Sequence, residues 1–223
     1  MSYKERLLNI YSDLLGHFGQ QKWWPAETRF EVCVGAILTQ NTAWQNVEKA
    51  IANLKKEGVL NPQRLREVSI DKLAQLIIPS GYYNIKAKRL KEFVGFLCDR
   101  YNGDLDMMFS DGVDNLRDSL LQVKGIGPET ADSILLYAGY IPIFVVDAYT
   151  KRIFSRLNLV VDDDISYDEL QSFFMRNLTQ NVPLFNEYHA LIVMLGKNYC
   201  RRKPKCDGCP IMECNLRDIK KES

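Results

Sequence analysis

Two groups of residues in this chain have the types and spacing for chemistry. The first lies in Leu121 to Arg152, LQVKGIGPETADSILLYAGYIPIFVVDAYTKR. Gly125-Ile126-Gly127 reads as a tight turn between two helical patterns, because glycine allows sharp turns and close approach to something outside the backbone. Pro128 suits the first helical position, where its missing N–H would be unpaired anyway, and Glu129 suits the dipole of the first turn. The N–H groups of such a turn and helix start form an anion site. Asp147 follows the apolar run Phe144-Val145-Val146 and can cap a helix over Ala148 to Arg156. The second group is Cys200, Cys206, Cys209 and Cys214, spaced C-x5-C-x2-C-x4-C. Four thiols so close in sequence can close around one compact centre. Structural zinc and an iron–sulfur cluster both take four thiolates.

The elements that must hold these groups are helical almost throughout. Leu7, Leu8, Tyr11, Leu14, Leu15 and Phe18 recur at helical spacing, with Gly16 and Gly19 expected to stop that helix. Lys22-Trp23-Trp24-Pro25 is a short aromatic loop. A helix from about Glu27 to Leu38 leads to the polar turn Thr39-Gln40-Asn41-Thr42, and Thr42 is expected to cap the next helix, Ala43 to Lys56. Further helices are expected over Ile85 to Tyr101, Pro128 to Tyr137, Tyr167 to Asn177 and Leu184 to Tyr199. No convincing strand pattern occurs.

The 223 residues, 46% hydrophobic and 26% charged, suit an ordinary globular protein of one or two domains. No apolar run approaches a membrane span, and MSYKERLLNIYSDLL is not a signal peptide, so a cytoplasmic, nucleoid-associated protein is expected. That compartment disfavours disulfides. Cys33 and Cys98, in apolar helical surroundings, read as buried thiols. The net charge of +1 does not announce a nucleic-acid binder. A DNA face would need local clusters such as Lys86, Lys88, Arg89 and Lys91, or Arg201, Arg202, Lys203 and Lys205.

Helix, Gly-x-Gly, helix and an aspartate after an apolar run resemble the helix-hairpin-helix DNA glycosylases related to endonuclease III. The stretches WWP, LTQNT, PSGYYNIKAKRL and KGIGPETAD are similar to the 3-methyladenine glycosylases of that type, and the likeness covers nearly the whole chain. It implies an all-α fold of two helical domains flanking a DNA-binding cleft. Residues 22–133 would form a six-helix barrel with the hairpin, and residues 1–21 and 134–223 a discontinuous domain carrying the cysteines. It implies a [4Fe–4S] cluster on Cys200, Cys206, Cys209 and Cys214, although the family's first and third gaps are each one residue longer. It also implies a Na+ or K+ held by the carbonyls of Leu121, Val123 and Ile126, bridging hairpin and phosphate.

The same resemblance assigns roles. Asp147 would be the catalytic carboxylate that stabilises the sugar cation or activates water. Glu129 stands where lyase-active members have a Schiff-base lysine, so the reaction would stop at an abasic site. Trp23, Trp24, Pro25, Trp44 and Glu129 would form the base pocket, since indole faces attract a cationic alkylated purine. Gln40 would fill the gap left by a flipped base and Tyr82 would wedge the stack. Gly125, Gly127, Lys124 and Lys151 would contact DNA. The expected protein is a monomeric, monofunctional glycosylase of base-excision repair acting on double-stranded DNA with a damaged base. The rivals are a bifunctional glycosylase and lyase for oxidised pyrimidines, and a non-enzymatic helix-hairpin-helix DNA-binding module.

Overall fold

The computed structural model describes residues 1–160, 164–212 and 214. Among these residues there are twelve α-helices and no strand. They are α1 (Tyr3–Phe18), α2 (Arg29–Leu38), α3 (Trp44–Lys56), α4 (Pro62–Glu67), α5 (Ile70–Leu76), α6 (Tyr83–Tyr101), α7 (Leu105–Phe109), α8 (Val113–Gln122), α9 (Pro128–Ser133), α10 (Ala148–Arg156), α11 (Tyr167–Asn177) and α12 (Val182–Asn198). The chain divides into two compact units, Trp24–Ile141 and Met1–Trp23 with Pro142–Ser223. Residues 134–141, expected with the second of these, belong to the first, because the turn Ile134–Ala138 packs on α2.

In the Trp24–Ile141 unit, α2 is the central helix. Phe30, Val32, Cys33, Val34, Ala36, Ile37 and Leu38 are all buried, so it has no polar face, as expected of a helix surrounded by others. Thr28 caps it, its hydroxyl accepting from Glu31 N–H at 3.1 Å. Glu31 is itself buried and pairs with Lys55 at 2.9 Å. Burial pushes the Cys33 thiol up to about 12, so it behaves as a small apolar group. Cys98 is only half-buried. The helix expected over Pro128 to Tyr137 changes pitch at Ile134, where Gly139 N–H bonds the Ile134 carbonyl at 3.0 Å across a wider turn.

Three local expectations are corrected. Gly16 lies inside α1, which ends at Phe18 with Gly19 as its cap. Thr42 does not cap α3. Ala43 precedes that helix without a side-chain cap, and the Thr42 hydroxyl donates to the Ser80 carbonyl instead. The cluster Lys86, Lys88, Arg89, Lys91 is not a solvated basic face. Lys86 is 1% exposed and donates to Leu38 O at 2.8 Å, Thr42 Oγ1 at 2.6 Å and Ser80 O at 2.7 Å. Lys91 donates to the carbonyls of Leu65, Arg66 and Val68 at the end of α4, satisfying groups the helix leaves open. Of the four, only Lys88 is exposed.

The other unit is built on aromatic packing. Phe144 stacks on Phe174 at 3.9 Å, and both pack edge-on to Tyr188. Phe154 joins Phe174 at 4.7 Å. Each of these fully buried rings contributes about 1.5–3 kcal/mol through removal from water. Tyr188 is buried to its tip, so its hydroxyl needs a partner and donates to Leu7 O of α1 at 2.8 Å. Gln171 of α11 donates to Phe144 O at 2.7 Å and fixes the extended run that leads to Asp147.

Burial lowers the Lys86 ammonium from 10.5 to about 8. A lowered amine pKa means that the unfolded chain binds more protons between those values, so this group makes stability rise with pH from about 8 to 10.5. Denaturant unfolding of wild type and Lys86→Met across that range should show the difference growing in favour of wild type. A pH-independent difference would contradict the placement of Lys86.

Candidate functional site

The glycine turn is held from three sides. Val123 and Ile126 are buried and anchor it, and Ile126 N–H closes it on Val123 O at 3.0 Å. Arg117 of α8 grips the fully buried Asp132 of α9 in a two-pronged ion pair, Nε to Oδ1 2.8 Å and Nη2 to Oδ2 3.2 Å, clamping the helices on either side. The third hold is Gln40. Its Nε2 donates to Gly125 O at 3.0 Å and to Thr130 Oγ1 at 2.9 Å, and its Oε1 accepts from Arg89. Lys124, Gly125, Gly127 and Glu129 are exposed. Among the described residues no backbone hydrogen bond is made by the N–H groups of Gly125 and Gly127. Val123 O already accepts from Ile126, which leaves it one lone pair for a cation. Leu121 is half-buried at the end of α8.

The two glycines are not equivalent. Gly125 sits at φ +91°, where L side chains are strained, and a Cβ there would collide with the Arg89 stem. Gly127 has φ −100° and ψ 178°, an extended conformation open to any residue, and a Cβ would meet nothing. Fold requirements therefore explain Gly125 but not Gly127.

In the same unit Trp24 meets Trp44 at right angles, ring centroids 5.2 Å apart, and leans on Tyr137 at 5.2 Å. Its indole lies against the bare Cα of Gly35, where a Cβ would come within 2.9 Å. Trp24, Pro25 and Trp44 line a cavity of about 210 Å3 together with Glu31, Glu48 and Lys55. Glu129 is not among its lining residues, and Trp23 is half-buried in the other unit. Tyr82 is 69% exposed, in a left-handed conformation (φ 46°, ψ 31°) before α6. A non-glycine residue there is held by its surroundings, here by Lys86 N–H and Ile85 N–H, which both donate to its carbonyl at 3.0 Å.

In the other unit, Asp147 caps α10. Its Oδ1 accepts from Thr150 N at 2.7 Å and Thr150 Oγ1 at 2.8 Å. Its Oδ2 faces His189 Nε2 of α12 at 3.8 Å, and both side chains are 11% exposed. Burial lowers the His189 pKa, opposed by the attraction of Asp147. Nothing in the sequence marked His189: a lone histidine in an apolar helix gives no signal until the fold sets it beside a carboxylate. Lys151, one turn into α10, donates to Ile165 O at 2.6 Å and so is already engaged.

Cys200, Cys206, Cys209 and Cys214 are all half-buried. Arg152 donates to Cys200 O at 2.9 Å. Arg156 donates to Cys200 Sγ at 3.3 Å, Arg201 O at 2.6 Å and Arg202 O at 3.1 Å. Arg201, Arg202, Lys203 and Lys205 are exposed on that loop. Among the described residues no group of three or more His, Cys, Asp or Glu is placed to hold a metal. The donor set nonetheless fits a thiolate-bound centre: four half-buried thiols in one short loop, with the Arg156 guanidinium beside the Cys200 sulfur.

Residues 34–180 match the family described as HhH-GPD superfamily base excision DNA repair protein, and the chain belongs to that family. It is 52% identical over 211 residues, 94% of this chain and 95% of the relative, to a Methanocaldococcus jannaschii protein provisionally named a DNA repair glycosylase. It is 29% identical to endonuclease III of Sulfolobus acidocaldarius over 82% of this chain and 80% of that one. Its fold superposes on the H. pylori 3-methyladenine DNA glycosylase MagIII bound to 1,N6-ethenoadenine, with TM-score 0.76 and 32% identity over 88% of this chain and 98% of that one. An endonuclease III–DNA complex gives TM-score 0.83 at 22% identity over all of both chains, a likeness of fold. The chain is thus a helix-hairpin-helix, endonuclease III-like DNA glycosylase of base-excision repair. No helix among the described residues is long and apolar enough to cross a membrane.

The unequal glycines give a direct check by thermal unfolding. Gly125→Ala should lower stability by about 1 kcal/mol or more through left-handed strain and collision with Arg89, whereas Gly127→Ala should leave it within about 0.5 kcal/mol. Equal losses would contradict the turn geometry.

Proposed function

We propose that this glycosylase is monofunctional and releases alkylated purines of the 3-methyladenine kind from duplex DNA. The observation that carries the reading is Glu129, an exposed carboxylate in the first turn of α9, at the position where the family resemblance puts the amine of a lyase. A carboxylate cannot form a Schiff base. Lys151 is engaged with Ile165. Lys124 is exposed beside the hairpin, and it is the specific residue that would favour the bifunctional reading.

Asp147 is the proposed catalytic residue. The helix cap fixes the carboxylate in place, and Oδ2 takes no part in that cap. A fixed negative charge stabilises the sugar cation as the glycosidic bond breaks. The bond's electron pair leaves with the base, and water adds at the sugar carbon, giving up a proton. An alkylated purine is cationic and departs neutral, so no strong general acid is required. The perpendicular indoles Trp24 and Trp44, in a cavity that also carries Glu48 and the Glu31–Lys55 ion pair, support a cationic base as the guest. Pro25 completes the proposed pocket, and Trp23 and Glu129, expected there, are not among the residues that line the cavity. Tyr82 is the proposed residue that meets the distorted duplex, whereas Gln40, expected to fill the gap left by a flipped base, is engaged by Gly125, Thr130 and Arg89. Gly125, Gly127, Lys124 and Lys151 are the proposed backbone contacts, with a monovalent cation at Leu121, Val123 and Ile126. The proposed protein acts as a monomer.

We propose further that Cys200, Cys206, Cys209 and Cys214 hold a [4Fe–4S] cluster. Such a centre would clasp the loop bearing Arg201, Arg202, Lys203 and Lys205, and no redox step is needed. Anaerobically purified protein should be yellow-brown with broad visible absorbance. Colourless protein with about one zinc per chain would contradict this assignment.

Single-turnover assays on a 3-methyladenine duplex test the catalytic assignment. Asp147→Asn should cut base release by more than about a hundredfold while affinity for lesion DNA stays close to wild type. Release at near the wild-type rate would remove Asp147 from the chemistry.

A further inference from the structure

The first half of α6 carries two cations, one helical turn apart, that reach three separate turns. Lys86 ties the carbonyls of Leu38 and Ser80 and the hydroxyl of Thr42, joining the Gln40 turn to the Tyr82 turn. Arg89, half-buried, donates to Gln40 Oε1, and its aliphatic stem lies where a Cβ on Gly125 would be. Gln40 closes the ring by donating to Gly125 O at 3.0 Å and Thr130 Oγ1 at 2.9 Å. Gly125 thus has no side chain because Arg89 takes the space, and Gln40 is half-buried because it is gripped from both ends.

We propose that Arg89 is a positioning residue for DNA binding: with Gln40 it forms a latch that fixes the backbone of the hairpin turn in its phosphate-gripping shape. A guanidinium suits this task. Its planar fork can hold the Gln40 amide in one orientation, which the point charge of an ammonium does not. In the latched state Gln40 acts through the hairpin, so its removal and the removal of the Arg89 guanidinium have the same consequence. Lys86 holds the other two turns in register with the latch, and its burial makes its substitution a test of stability rather than of DNA affinity.

The inference rests on the reading that the hairpin grips phosphate, and the experiment separates the two. The probe is a duplex with a tetrahydrofuran abasic-site analogue, titrated with full-length wild type, Gln40→Ala, Arg89→Met, Arg89→Lys, Gln40→Ala with Arg89→Met, and Gly127→Ala. Each protein is shown folded at the assay temperature by circular dichroism. The latch predicts an affinity loss of about tenfold for Gln40→Ala and for Arg89→Met, no further loss in the double variant, and no rescue by Arg89→Lys. The equivalence of the single and double variants is what a coupled pair shows. Additive losses, or wild-type affinity for Arg89→Met, would overturn the latch. Full affinity in Arg89→Lys would overturn it too, because a positive charge alone would then suffice. If Gly127→Ala weakens binding while Arg89→Met does not, the hairpin reading stands and the latch falls. If none of the variants binds more weakly, the hairpin reading falls with it.

Discussion

Asp147 divides its carboxylate between two duties, and much of its unit exists to allow that. Oδ1 is engaged by Thr150 and starts α10, while Oδ2 faces His189 across 3.8 Å. A carboxylate that is 11% exposed is costly unless hydrogen bonds and the helix dipole support its charge. The extended run Ile143–Val146 must therefore deliver it to a fixed point. Burial of Phe144, Val145 and Val146, and the Gln171 bond to Phe144 O, hold that run. The same α10 carries Arg152 and Arg156 to the cysteine loop. Cap, catalytic candidate and cysteine anchor thus share one nine-residue helix, and a disturbance of the loop has a short mechanical route to Asp147.

The other unit resolves a different tension. A DNA-binding protein with net charge +1 cannot rely on overall attraction. Several of its cations are turned inward: Lys86, Lys91 and Arg89 hold carbonyls, a hydroxyl and an amide, and Arg117 holds Asp132. These charges stiffen the turns rather than attract phosphate. What faces outward at the hairpin is backbone, with exposed glycines and one exposed lysine, Lys124. Preorganised N–H groups lose little freedom on binding, which compensates for a modest field.

The helices were legible wherever local signals agreed. Pro128, the apolar spacing of α6 and the ends of α11 were readable because capping and periodicity are local. Thr42 misled because its hydroxyl answers a carbonyl from a different part of the chain, Ser80. Lys86 and Lys91 misled for the same reason: sequence shows their charge but not that distant carbonyls converge on it. His189 and the Arg89–Gln40 contact were invisible, since both depend on elements that meet only in the folded unit. The pattern around Gly125 and Asp147 was readable as a family motif, yet the different reasons for the two glycines needed backbone angles.

The proposed reaction stops after base release. The most direct measurement incubates wild-type protein with an end-labelled duplex containing one 3-methyladenine, and quantifies the free base and the labelled strand in the same samples, with and without borohydride. Free 3-methyladenine, a full-length strand carrying an abasic site, and no borohydride-trapped protein–DNA adduct are expected. Base release accompanied by equimolar strand cleavage and a trapped adduct would contradict the proposed reaction and place an amine, with Lys124 the first candidate, at the centre of the chemistry.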